Sequence, residues 1–153
     1  LNAYMLDYNV YDYLQIGYYD GISGYGPRFE TNPYRIEPQC RGASGSTHQN
    51  PSHAVIVTKN KVNLTNISYI AYVYFCIRRD TQYHKSYLAV SNNQMTNFDD
   101  YVARAEVSTG EGTYATIILD VSSLTGEYYI KLGPTGIATG YHNTVLLALA
   151  LSI

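Results

Sequence analysis

The chain has 153 residues, 46% of them apolar and only 14% charged, with a formal net charge of −2. That length suffices for one domain, residues 1–153, with its own core, and the apolar content excludes a wholly disordered chain. The slightly acidic balance argues against a nucleic-acid partner, which needs clustered Lys and Arg, and no stretch reaches the roughly 18 uncharged apolar residues of a membrane span. Arg78-Arg79, the nearest thing to a basic cluster, is followed at once by Asp80 and reads as a solvated strand end.

Tyrosine dominates the composition: 18 Tyr stand against three Phe and no Trp. Tyrosine favours pleated, half-buried surfaces and offers a flat apolar face with a polar tip, a form that binding surfaces use at low entropic cost. The chain opens Leu1-Asn2-Ala3-Tyr4 and reads as an excised domain or a processed product.

From Tyr4 to Tyr18 the even positions are mostly apolar and the odd ones polar or amphipathic, a period of 2 that predicts strand with one buried face. Asp12 breaks the pattern and marks an expected turn or bulge. Gly21 to Ser52 carries Gly and Pro throughout and reads as a long loop region with room for short strands around Tyr34–Ile36. Such loops often carry binding residues. Ala54 to Thr58 follows as a short apolar strand.

Tyr69 to Ile77 is the clearest strand. Its odd residues (Tyr69, Ala71, Val73, Phe75, Ile77) are expected to face the core, and its even residues (Ile70, Tyr72, Tyr74, Cys76) a second apolar or binding surface. Strands are predicted at Tyr87–Val90, Val102–Val107, Thr113–Val121 and Glu127–Leu132. A short helix capped by Asn97 competes with strand or loop near Phe98. In the last strand, Thr144 to Ile153, large odd residues alternate with mostly small even ones, which predicts an inner strand. About eight strands with regular turns imply an all-β sandwich of two antiparallel sheets.

Two strings carry a resemblance: Val62-Asn63-Leu64-Thr65-Asn66-Ile67-Ser68-Tyr69-Ile70, and the run Leu119-Asp120-Val121-Ser122-Ser123-Leu124-Thr125-Gly126-Glu127-Tyr128-Tyr129-Ile130-Lys131-Leu132-Gly133. Both resemble jelly-roll β-sandwich modules of phage and prophage tail-associated proteins of Gram-positive and gut bacteria; similar modules occur in bacterial surface proteins. The resemblance spans roughly Val62 to Ile153 and implies a jelly roll, a structural or receptor-binding role towards a host-surface glycan, and assembly as a homo-oligomer, often a trimer, at a virion or cell surface. It supplies no catalytic residue. The motif has its own physics: Ser122 to Gly126 is a turn, with Ser hydroxyls bonding local backbone and Gly126 free to take positive φ. Leu124 is expected to plug the core, Tyr128, Ile130 and Leu132 to point inward, and Tyr129 and Lys131 outward.

Catalytic readings fare badly. Gly42-Ala43-Ser44-Gly45-Ser46 misses the G-x-S-x-G spacing of a serine hydrolase. Glu30, Glu37, Asp80 and Glu111 could in principle pair for glycoside hydrolysis, but twelve acids scattered over loops always supply such candidates. Cys40, His48 and His53 match no familiar zinc spacing. Asp99 and Asp100 with loop carbonyls offer the oxygen donors that a structural calcium takes. Cys40 and Cys76 read as two thiols rather than as a bridge.

Sugars stack their C–H faces on aromatic rings and bond their hydroxyls to Asn, Asp, Gln and Arg. The set Tyr11, Tyr13, Tyr19, Tyr25 and Tyr34, with Asp7, Asn9, Asp20 and Arg28, supplies both kinds of contact, although tyrosines also pack sheet faces and subunit interfaces. The expected ligand-binding residues are Tyr19, Tyr25, Arg28 and Tyr34, beside the turns at Asp20-Gly21 and Pro27. The expected function is a non-enzymatic receptor- or glycan-binding module of a phage or prophage tail-type protein. Its rivals are a structural, oligomerising head or tail decoration domain and an accessory carbohydrate-binding module of a bacterial surface protein.

Overall fold

A computed structural model of the chain describes residues 2–5, 14–18, 28–31, 34–37, 39–41, 54–79, 85–96, 98–135 and 141–153. Among the described residues it contains thirteen strands and no helix. These are β1 (Asn2–Met5), β2 (Leu14–Tyr18), β3 (Arg28–Thr31), β4 (Tyr34–Glu37), β5 (Gln39–Arg41), β6 (Ala54–Thr58) and β7 (Val62–Asn63). The remainder are β8 (Tyr69–Arg79), β9 (Lys85–Ser91), β10 (Ala103–Val107), β11 (Tyr114–Asp120), β12 (Glu127–Thr135) and β13 (Tyr141–Ser152).

All pairings are antiparallel. One sheet runs β1-β13-β8-β11, with β5 also on β13; the other runs β10-β9-β12-β6-β2, with β7 also on β12; β3 and β4 form a separate ribbon. The expected jelly-roll-like sandwich of two antiparallel sheets is therefore the fold. The segment Tyr4–Tyr18 is divided between the two sheets, because β1 pairs with β13 and β2 with β6; Asp12 lies outside the described residues. The region 21–52 holds the short strands β3, β4 and β5, of which β4 matches the expected strand near Tyr34–Ile36.

The core lies between the sheets, and β8 shows how it is chosen. Its even residues Ile70, Tyr72, Tyr74 and Cys76 are fully buried, while Tyr69 is 47% exposed. The expectation that the odd residues face the core is thus corrected. Both faces of this strand are apolar, so its own pattern cannot orient it, but its neighbour can. Directly opposed residues share a face, and β11 sets Ile117 opposite Tyr72 and Leu119 opposite Ile70, with Thr116 and Asp120 in the other row. Burying the apolar row of β11 commits the even row of β8. The two tyrosines meet with ring centroids 5.0 Å apart, and their hydroxyls are satisfied inside, Tyr72 Oη with Thr144 Oγ1 at 3.3 Å and Tyr74 Oη with Thr109 Oγ1 at 2.8 Å. They are core residues, not a binding surface.

β13 lies between β1 and β8, as an inner strand should. Its register shifts between Leu146 and Ala148, so Thr144 and Leu146 are buried before the shift and Leu149 and Leu151 after it. One bulge residue changes which parity points inward.

The Ser122–Gly126 turn forms as expected, with Gly126 at φ 93° and Leu124 N donating to Val121 O. The Ser122 hydroxyl, however, bonds the Asp120 carboxylate at 2.6 Å and not the backbone. Leu124 and Tyr128 pack against the core, and Ile130 and Leu132 are wholly inside it. The helix expected near Asn97 is absent from the described residues: residues 98–102 are turns and bends leading into β10, and Asn97 itself lies outside the description.

Candidate functional site

The two sheets differ sharply on their outer faces. On the β10-β9-β12 sheet, residues 92–96 and 98–102 fold over the surface. Phe98, fully buried, packs with Val57 of β6 and Ala89 of β9, flanked by Tyr87 and Tyr129. Arg104 stacks on the rings of Tyr87 and Tyr101 and donates to Phe98 O at 3.2 Å and Asp99 Oδ1 at 3.3 Å. Asp100 accepts from Asn93 Nδ2 at 2.9 Å, which with Thr96 holds its carboxyl below the usual carboxylate range.

Lys131 does point away from the main core, as expected, but it is not in solvent. Its register partners Val57 and Ala89 lie beneath the Phe98 flap, so the side chain is fully buried and Nζ donates to Thr96 O and Thr96 Oγ1. Sequence patterning missed this because the cover comes from a loop.

Desolvation pushes the Lys131 ammonium down to about 8 from the ordinary lysine value, against the opposing attraction of Asp100. Between about pH 8 and 10 the unfolded chain therefore holds a proton that the folded chain has lost, and stability rises with pH by up to about 1.4 kcal/mol per unit. Above about pH 10 the sign reverses. Burial, then Glu106, keeps Tyr87 protonated up to about 12, and burial raises Tyr72 as well, whereas unfolded tyrosines ionise. Urea unfolding across this range should show a maximum near pH 9–10, and Lys131→Met should flatten its rising limb. A flat wild-type profile between about pH 8 and 10 would mean that the ammonium is hydrated.

Among the described residues, none folds over the outer face of the other sheet. Three cross-strand rows stack there: Ser152–Tyr69–Asp120, Ala150–Ala71–Ile118 and Ala148–Val73–Thr116. Phe75 and Tyr114 close the far end, with ring centroids 4.9 Å apart. Alanines in the middle of the sheet, between Tyr69 and Ile118, leave a shallow groove of about 350 Å³ lined by Tyr69, Ala71, Ile118, Ala150 and Ser152. Ile118 is 61% and Tyr114 73% exposed. The charge in these rows is Asp120 at the rim, whose carboxylate accepts from Ser122 N at 2.9 Å and from Ser122 Oγ, bonds that hold it below its usual range. The groove thus offers an apolar floor, an exposed phenol ring and hydroxyl and carboxylate groups at its edge. Its signal was present in the sequence as the small even residues of β13 and the odd residues of β8, whose exposure only the register revealed.

Of the four expected binding residues, Tyr19 and Tyr25 lie outside the described residues, as do Tyr11, Tyr13, Asp7, Asn9 and Asp20. Arg28 and Tyr34 fall on the β3–β4 ribbon at opposite ends of its register, where Arg28 stands opposite Glu37 and Tyr34 opposite Thr31. Glu30 stands opposite Arg35 in the same ribbon, and Glu111 is exposed in the turn before β11. Cys40 in β5 is in register with His142, while His48, His53 and Asp80 lie outside the description; Cys76 is buried in the core. Among the described residues no three His, Cys, Asp or Glu side chains converge, and no helix is long and apolar enough to cross a membrane.

A comparison with protein-family models finds no match, and a comparison with curated protein sequences finds none either. Solved structures do match. The K1 cleaved adhesin domain of Lys-gingipain from Porphyromonas gingivalis W83 aligns with a TM-score of 0.48 and 16% identity, over 90% of this chain and 82% of that one. The K3 cleaved adhesin domain of the same protein aligns with a TM-score of 0.58 and 12% identity, over 92% of this chain and 91% of that one. At that identity the K3 likeness establishes a shared β-sandwich fold over nearly the whole chain.

Proposed function

We propose that this chain is a non-enzymatic binding module working at an extracellular or virion surface, and that it recognises a host-surface glycan or receptor. The observation that carries the reading is the groove on the β13-β8-β11 face, lined by Tyr69, Ala71, Ile118, Ala150 and Ser152. A pyranose ring can lay its C–H face on Tyr69 and the alanine floor while its hydroxyls reach Ser152, Asp120 and the Tyr69 hydroxyl. The volume falls at the small end of ligand sites, in keeping with a sugar or two rather than a large cofactor. The K3 domain is named an adhesin, and the shared fold supports a binding role by analogy. The resemblance of residues 62–70 and 119–133 to tail-associated modules supports a phage or prophage tail-type protein as the carrier.

The test is a glycan array and a host-cell pull-down with wild type, Tyr69→Ala, Tyr25→Ala and Tyr34→Ala. Tyr69→Ala should weaken binding at least about tenfold, the equivalent of roughly 1.4 kcal/mol, with the circular dichroism spectrum unchanged. Loss confined to Tyr25→Ala or Tyr34→Ala would move recognition to the Tyr-rich N-terminal third. A wild-type chain that retains no glycan and no cell-surface partner would overturn the reading.

A further inference from the structure

The two sheet edges on the β10/β11 side of the sandwich are built differently. β10, at the edge of its sheet, carries Arg104 and Glu106, and Glu106 pairs with Lys85 at 3.0 Å. Charges of this kind are the usual protection of an open edge. β11, the edge of the other sheet, is Tyr-Ala-Thr-Ile-Ile-Leu-Asp, seven residues with no charge before Asp120, no proline and no register shift against β8. Among the described residues its strand partner is β8 alone. Just beyond its two ends, Thr113 O accepts from Cys76 N and Val121 N donates to Ser68 O, so the odd residues direct their backbone groups towards β8. Alternation then turns the N–H and C=O groups of Tyr114, Thr116, Ile118 and Asp120 to the open side. The side chains of these same four residues are exposed.

We propose that β11 pairs edge to edge with β11 of a second copy of this chain, antiparallel about Ile117, joining the two β1-β13-β8-β11 sheets into one. This register sets Thr116 opposite the partner's Ile118 and Tyr114 opposite the partner's Asp120, and it engages all four outward-facing residues of each strand. It is isologous, so it closes as a dimer. The charges agree with it: the two Asp120 carboxylates stand at opposite ends of the joint, each beside a tyrosine, and no like charges meet. The same contact covers the exposed flanks of Ile118 and Tyr114 with β-branched and aromatic neighbours. The alanine floor of the groove and Tyr69 stay open in this arrangement, while Ile118 and Asp120 border both the groove and the joint.

Light scattering or sedimentation on the full chain over a wide concentration series tests this directly. The wild type should approach twice the single-chain mass. Thr116→Lys, which places a charge on an exposed edge position, should raise the dissociation constant at least about tenfold, as should Thr116→Pro, which removes an outward N–H without touching the β8 ladder. Tyr69→Ala should leave the dimer intact, which separates this proposal from the glycan reading. Both edge variants should keep the wild-type circular dichroism spectrum; if one unfolds, the other carries the test. A wild-type chain that is monomeric at every concentration overturns the proposal, and so does a dimer that survives both substitutions.

Discussion

Phe98→Ala should destabilise the protein by about 3–5 kcal/mol, the range for truncating a buried aromatic ring. Phe98 lies on a loop yet is fully buried, with Tyr87 at 5.3 Å between ring centroids and Val57 and Ala89 beneath. The loss should go beyond cavity formation. The flap that Phe98 anchors also supplies Thr96 to Lys131, so without it the ammonium regains water and its ordinary pKa. Phe98→Ala should therefore remove the rise in stability between about pH 8 and 10 as well as lower stability at neutral pH. Urea unfolding at several pH values measures both. A loss below about 1 kcal/mol, or an unchanged pH profile, would show that the flap does not seal the sheet.

Leu149→Ala should cost about 2–5 kcal/mol. Leu149 is 3% exposed, follows the bulge in β13 and stands opposite Tyr72 on one side and Tyr4 on the other. Because β13 joins β1, β5 and β8, a cavity there has little freedom to collapse. Reversible urea denaturation giving less than about 1 kcal/mol would place the strand at the periphery of the stabilising core.

Much of the second half of the chain was legible from residue order alone. Ala54–Thr58 emerged with the predicted bounds, and the strands from Tyr69 onward moved by only a few residues at their ends. The reason is local: period-2 patterning reports one buried face, and Gly, Asn and Ser clusters mark where ladders stop. The same locality explains the inward set Ile130 and Leu132 and the positive φ of Gly126.

Three features were decided only by tertiary structure. The buried face of β8 could not be chosen from a strand apolar on both sides; Ile117 and Leu119 across the ladder chose it. The parity of β13 changes at a bulge that leaves no mark in composition. Lys131 reads as a solvent-facing lysine, and it is buried because a segment thirty-odd residues earlier folds over it with Phe98 as the anchor. The groove and the open β11 edge belong with these. Alternation along the chain supplies apolar rows, but whether a row meets the core, a flap or solvent depends on what the fold lays across it.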